Sequence, residues 1–216
     1  MTQTQLDVAA VLFDMDGTLV DSTPVVERLW AQFAAEYHID LVELLGYSHG
    51  RQTRDTVSRF LPPGHDVDEV TAAFQTDEPN HTEGIAAIAG AVELINALPE
   101  DRLAVVTSAP RRLAEVRLLA AGIGIPKVLV TSEDVTRGKP DPMGYEIAAQ
   151  RLGVVPQRCL VVEDAEAGLQ AGIASGALTM VIGEHESAVT TALPRVKDFT
   201  DVTVQIFDDF LRITLP

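Results

Sequence analysis

An apolar run ending at Phe13 leads directly into Asp14, Asp16 and Asp21, within the stretch VLFDMDGTLVDST (residues 11–23). Three further apolar runs end in groups that can do chemistry. Thr107 and Ser108 follow Leu103–Val106, Lys139 lies in TRGKPDP beyond Val128–Thr131, and Glu163 and Asp164 follow Cys159–Val162. Residues i and i+2 of an extended segment point to one side, so the spacing lets Asp14 and Asp16 face one site. Carboxylates converging from two strands repel unless a hard cation lies between them. Mg²⁺ takes oxygen ligands and commonly combines one or two carboxylates with a substrate phosphate. Hydroxyls, backbone N–H groups at helix starts and a lysine make an anion cradle. Paired acids, Mg²⁺ and such a cradle point to phosphoryl transfer, in which a carboxylate can itself be the nucleophile. Taken singly, each group has a plainer explanation: a turn, a helix cap, a surface lysine or a first-turn match to the helix dipole. Their recurrence at four strand ends argues for one shared site.

The elements that must hold these groups alternate. Val8–Phe13, Leu103–Val106, Val128–Thr131, Cys159–Val162 and Thr179–Ile182 read as buried strands, with a weaker one at Val202–Ile206. Helical patterns span Gly90–Leu98, Arg111–Ala121, Pro142–Leu152 and Ala165–Ser175, and Gly122, Gly153 and Gly176 stop the last three. This alternation predicts an α/β fold, a doubly wound parallel sheet. Ligands of such sheets bind outside the carboxyl ends of the strands, where the polar groups cluster.

Residues 22–83 break the pattern and contain no convincing strand. Ser22, Thr23 and Pro24 make a good helix opening. Val25, Val26, Leu29, Trp30, Phe33, Ala34 and Tyr37 form one apolar stripe at helical spacing. Further helices are expected at Gln52–Leu61 and Val67–Asp77. The expected organisation is a catalytic core of residues 1–21 and 84–216 with an all-helical insert, 22–83, after the first strand. Trp30 and Phe33 read as packing residues, Asp21 as structural at the hinge, and Cys159 as an inert core thiol.

The chain has 216 residues and a net charge of −16, a surface that repels nucleic acid and anionic membranes. Of the basic residues only Lys127, Lys139 and Lys197 are lysines, so an anionic substrate must be drawn in by a local device. No run is long and apolar enough to span a membrane. The opening MTQTQLDVAA lacks a signal-peptide pattern, and the single cysteine excludes an internal disulfide. A cytoplasmic location is expected.

The segments DMDGTLVDS, VVTSA, RGKPDP and VVEDAEAG resemble, in order, the four motifs of the haloacid dehalogenase superfamily, and the helical insert sits where that family carries its cap. The resemblance covers nearly the whole chain. It implies that Asp14 is the nucleophile, and that Asp16 protonates the leaving oxygen and then activates water. It further implies that Ser108 or Thr107, with Lys139, holds the phosphoryl group. Asp14, the backbone carbonyl of Asp16 and Asp164 would bind Mg²⁺, with Glu163 as ligand or support. A dehalogenase needs neither Asp16 nor the Glu163–Asp164 pair, so the resemblance favours a phosphatase.

Within the insert, SHGRQTRD (48–55) is similar to the cap motif of small sugar- and polyol-phosphate phosphatases such as those acting on 2-deoxyglucose 6-phosphate or glycerol 3-phosphate, and marks His49, Arg51 and Arg54 as substrate-binding candidates. Gln52 stands where the polyol enzymes carry arginine, which favours sugar phosphates. HTEGIAAIAGA (81–91) resembles the cap-to-core return of bacterial sugar phosphatases. The expectation is thus a Mg²⁺-dependent phosphatase of a small phosphorylated metabolite, with neither nucleic acid nor membrane as partner, working as a monomer or weak homodimer. A β-phosphoglucomutase-like enzyme is the close alternative. A receiver-like domain phosphorylated on Asp14 is the distant one, since receivers lack the helical insert and the immediate Asp-x-Asp pair.

Overall fold

The computed structural model describes residues 4–216. In chain order the elements are β1 (Thr4–Val8), β2 (Ala10–Phe13), β3 (Val20–Asp21), α1 (Thr23–Tyr37), α2 (Leu41–Ser48), α3 (Thr53–Phe60), α4 (Val67–Asp77), β4 (Ala86–Ala87), α5 (Ala91–Ala97), β5 (Leu103–Val106), α6 (Arg111–Ala120), β6 (Leu129–Val130), α7 (Met143–Arg151), β7 (Cys159–Glu163), α8 (Glu166–Ala174), β8 (Leu178–Ile182), β9 (Arg195–Val196), β10 (Thr203–Ile206) and β11 (Leu211–Leu215). A short 3₁₀ turn, Glu78–Asn80, follows α4.

Six strands form a parallel sheet in the order β6-β5-β2-β7-β8-β9. Alternation along each strand loads both faces. Val11, Phe13, Leu103, Val105, Leu160 and Val162 join one core cluster with Leu94 of α5 and Ala114 and Leu118 of α6. Ala10, Leu12, Ala104, Val106, Cys159 and Val161 join the other with Tyr145 and Ala148 of α7 and Ala171 of α8. Gly122, Gly153 and Gly176 take positive φ just beyond α6, α7 and α8, where the sequence places the helix stops.

The expected first strand, Val8–Phe13, is two. β1 pairs antiparallel with β11, and β2 pairs with β5 and β7, so the chain changes sheets at Ala9. β10, read as a weak core strand, belongs to the antiparallel sheet β1-β11-β10. The parallel sheet takes β9 as its last strand instead.

Between β3 and β4, which pair antiparallel, lie α1 to α4. Helix α2 is additional to the expected set; Asp40 caps it, its side chain accepting from the Glu43 N–H at 3.0 Å. These helices have a core of their own, Trp30, Phe33, Ala34, Leu44 and Val57, with Phe74 stacked 4.5 Å from Trp30. A cluster closed on itself lets the segment act as a body and not as a loop.

Candidate active site

Strand β2 lies between β5 and β7, and the chain departs from it in both directions across the sheet. Such a switch point opens a crevice at the carboxyl ends of the strands. Asp14 leaves β2 there, Thr107 and Ser108 leave β5, Glu163 ends β7 with Asp164 just beyond, and the loop after β6 carries Lys139. All four stretches converge.

Asp14 and Lys139 are buried, as is Glu163. The Lys139 ammonium donates to Asp14 Oδ1, to Glu163 Oε1 at 2.6 Å and to the Val106 carbonyl at 3.2 Å, which uses its three protons. Tyr145 Oη also donates to Glu163 Oε1 at 2.6 Å, and the Asp164 N–H donates to Glu163 Oε2 at 3.2 Å. Both oxygens of Glu163 are therefore engaged by protein groups, which suits a supporting part in the cluster. Among the described residues Asp164 Oδ1 accepts only from Thr18 Oγ1, at 3.3 Å.

Strand β2 stops at Phe13, so the common face of Asp14 and Asp16 does not come from strand alternation. It comes from a tight turn in which the Met15 carbonyl accepts from the N–H groups of Leu19 and Val20 at 2.8 and 2.9 Å. Gly17 sits in this turn with φ +82°, and a Cβ there would fall 2.0 Å from Asp164 Oδ2. Only glycine allows the backbone this close to the carboxylate. Asp16 Oδ1 accepts from Ser22 Oγ at 2.6 Å and from Arg117 Nη1 at 3.0 Å. The second arm of Arg117 donates to Glu78 at 2.8 Å.

A cleft of about 90 Å³ lies over these groups, lined by Asp14, Asp16, Thr107, Ser108 and Asp164 from below and by Trp30, His49, Arg51 and Glu78 from the helical side. Trp30 packs as expected and also borders the cleft. Ser108 Oγ donates to the Gly50 carbonyl at 2.9 Å, while Thr107 Oγ1 accepts from the Ala109 N–H at 3.0 Å. Arg51 stacks on Tyr47, 4.4 Å from the ring centroid. Arg54 is not brought to the cleft. It is 58% exposed and paired with Asp68, because α3 turns Thr56 and Val57 inward and leaves Arg54 on the outer face. Asp21 Oδ1 accepts from the Thr23 N–H at 3.2 Å at the entry to α1. Cys159 is buried, and burial pushes its thiol up to about 11, in keeping with an inert core residue.

Three residues of the site, Tyr145, Glu78 and Arg117, carry no motif signal. Only the isolated position of Arg117 on the inward face of α6, beside Leu113, Ala114 and Leu118, marks it in the sequence.

Burial and the neighbouring Glu163 charge push Asp14 up to about 8, outweighing the Lys139 ammonium. Burial and the charges of Asp14 and Glu163 hold Asp164 well above the usual carboxylate range. Carboxylate oxygens of Asp14, Glu163 and Asp164 lie within 4.8 Å of one another. Three carboxylates against one ammonium leave two negative charges, which a divalent cation would balance. An oxygen-only donor set is that of a hard cation, so the residues fit Mg²⁺.

A sheet of this order, with the acids and lysine at its switch point beneath a helical insert, defines a class, and comparison with known proteins agrees with it. A family model described as haloacid dehalogenase-like hydrolase matches residues 8–176, and the chain belongs to that family. It is 42% identical to hexitol phosphatase A of Escherichia coli over 170 residues, covering 76% of this chain and 78% of that protein. It is 35% identical to 2-deoxyglucose-6-phosphate phosphatase 1 of Saccharomyces cerevisiae over 192 residues, 79% and 78% of the two chains. The crystal structure of a hydrolase from Pseudomonas syringae superposes with a TM-score of 0.75 at 25% identity, covering 87% of this chain and 92% of that one. Among the described residues no helix is long and apolar enough to cross a membrane.

Proposed function

We propose that the protein hydrolyses a small sugar or polyol phosphate monoester, with Mg²⁺, through an aspartyl phosphate on Asp14. The observation that carries the reading is the buried cluster of Asp14, Lys139, Glu163 and Asp164 at one sheet edge under a cleft. Asp14 Oδ attacks phosphorus as the bond to the sugar oxygen breaks, and Asp16 gives its proton to that oxygen. Water then loses a proton to Asp16 and attacks phosphorus, which releases phosphate and restores Asp14. Lys139 keeps Asp14 oriented and offsets phosphoryl charge, joined by the Thr107 hydroxyl and the backbone N–H of Ser108, since the N–H groups of Thr107 and Ala109 donate to the Val130 carbonyl and to Thr107 Oγ1. Asp14, the Asp16 carbonyl and Asp164 would hold the Mg²⁺, with Glu163 supporting. When bound, the ion supplies charge neutralisation at the phosphoryl oxygens.

Residues 22–83 are assigned as a cap over a core of residues 1–21 and 84–216, with His49 and Arg51 on its substrate side. The relatives' names support a hexitol phosphate or 2-deoxyglucose 6-phosphate as substrate class. A screen of phosphorylated sugars and polyols tests this. Phosphate release with Mg²⁺ and none with EDTA is expected. Conversion to an isomeric phosphate that needs a bisphosphate activator would mark a mutase, and no release from any ester would overturn the assignment.

A further inference from the structure

Arg117 is a costly residue to bury. Its side chain is 5% exposed, on the inward face of α6 where an aliphatic residue would serve packing. A guanidinium taken out of water needs partners, and it has two, Asp16 and Glu78. Glu78 is also buried, at 6%. Glu78 opens the 3₁₀ turn by which the chain leaves α4 and returns to the core. Ser22, the other residue bonded to Asp16, stands immediately before α1, where the chain enters the helical segment. Both connections of that segment thus end on one carboxylate, the first directly and the second through Arg117.

The two oxygens of Asp16 are treated differently. Oδ1 takes both bonds, and Oδ2 accepts none from the described residues. One oxygen is fixed and the other is left for proton exchange, which is how a carboxylate is held at one orientation without losing its chemistry. A lysine at position 117 could not do this. Its single ammonium lacks the planar fork that spans two carboxylates at once. Among the described residues Arg117 Nε and Glu78 Oε2 are buried without a hydrogen-bond partner, so the link between the two groups runs through the single Nη2–Oε1 contact.

We propose that Arg117 is the positioning residue for the acid/base Asp16, and that Glu78 ties that positioning to the placement of the helical cap. This rests on the phosphatase reading and adds to it two residues outside the four motifs. The consequence is specific to the leaving group. An alkoxide leaving from a sugar phosphate needs the Asp16 proton, whereas p-nitrophenolate departs without one. Misplacing Asp16 harms the first step only for the sugar ester.

The test compares Arg117→Lys and Glu78→Gln with the wild type, on a hexitol phosphate and on p-nitrophenyl phosphate, with circular dichroism to establish folding. The expected result for either folded variant is a single-turnover rate on the hexitol phosphate lowered about tenfold to a hundredfold, a partial loss of the roughly hundred- to ten-thousandfold that general acid help supplies. KM stays within about threefold and the p-nitrophenolate burst rate is retained. Glu78→Gln, which keeps the shape and a hydrogen-bond acceptor, is expected to lose less than Glu78→Ala. In an Asp16→Asn background the Arg117→Lys change should cost nothing further, since a residue acting through another is silent once that other is gone. Equal losses on both esters, a full further loss in the Asp16→Asn background, or wild-type rates in both variants would each overturn the assignment. An Arg117→Lys protein that fails to fold leaves the decision to Glu78→Gln on the same criteria. A wild-type protein that releases phosphate from neither ester strikes the phosphatase reading itself. Active wild type with the wrong variant pattern strikes only the Arg117 assignment.

Discussion

Asp14 must be ionised to attack phosphorus, yet burial and Glu163 favour its neutral form up to about pH 8. Its pKa is raised on folding from an ordinary 3.8, so between about pH 4 and pH 8 the folded state binds more protons than the unfolded one. The metal-free stability contributed by this group is therefore highest below about pH 4 and falls as pH rises to about 8. A cation that binds the ionised carboxylates reverses the trend, because it competes with protons for Asp14 and Asp164. The rise in Tm caused by Mg²⁺ should accordingly be larger near pH 8 than at about pH 6. Proton release to an indicator should accompany binding when Mg²⁺ is added to the metal-free protein. A Tm gain of equal size at both pH values would show that these acids do not hold it. At this scale the sequence is legible where a residue's place in the cluster follows from its position after a strand, as for Asp14 and Asp164, or in the loop beyond one, as for Lys139. It is silent on Tyr145, Glu78 and Arg117, whose partners lie 18, 39 and 101 positions away.

The elements decide how the cleft closes. The loop between α2 and α3 lies on three core loops at once. Gly50 accepts from Ser108, Gln52 packs against Gly138, and Gly50 sits against Ala165, where a Cβ would come within 2.9 Å of the Ala165 methyl. With φ +73° at Gly50, alanine there meets both backbone strain, about 1–2 kcal/mol for a left-handed residue, and this contact. Gly50→Ala should lift the loop and raise KM for a sugar phosphate by about tenfold, the value that 1–2 kcal/mol implies. The Tm should change little, because the helical segment keeps its own core around Trp30 and Leu44. An unchanged KM would mean that this loop does not frame the substrate. The elements themselves were mostly readable, since α5 to α8 and four strands of the parallel sheet announce themselves by apolar runs and glycine stops. What escaped were exchanges between sheets. Val8 and Ala10 are both apolar and buried, and nothing local says that the chain changes sheets at Ala9. Arg54 departs from its expected place for the opposite reason. Its neighbours in the motif point to the cleft, but helical periodicity overrides the motif and sends it outward.

The whole molecule solves a charge problem. A chain of net charge −16 has to accept a doubly charged ester, and long-range attraction cannot do that work. The anion is met instead by Lys139 and an acid cluster that fits a divalent cation, within a cleft bordered by both the sheet edge and the helical insert. That division explains why the core chemistry is plain in four short motifs while, of the insert's three candidates, only His49 and Arg51 border the cleft. Phosphoryl groups are alike across substrates, whereas leaving groups differ. The central claim is that the phosphoryl group passes through Asp14, and one measurement addresses it directly. Acid-quenched turnover, followed by peptide mass spectrometry under conditions that preserve acyl phosphates, should find a single phosphoryl group on the peptide containing Asp14, more abundant when Asp16→Asn slows its hydrolysis. A phosphoryl group on any other residue, or an Asp14→Asn protein that turns over its sugar phosphate at the wild-type rate, would contradict it.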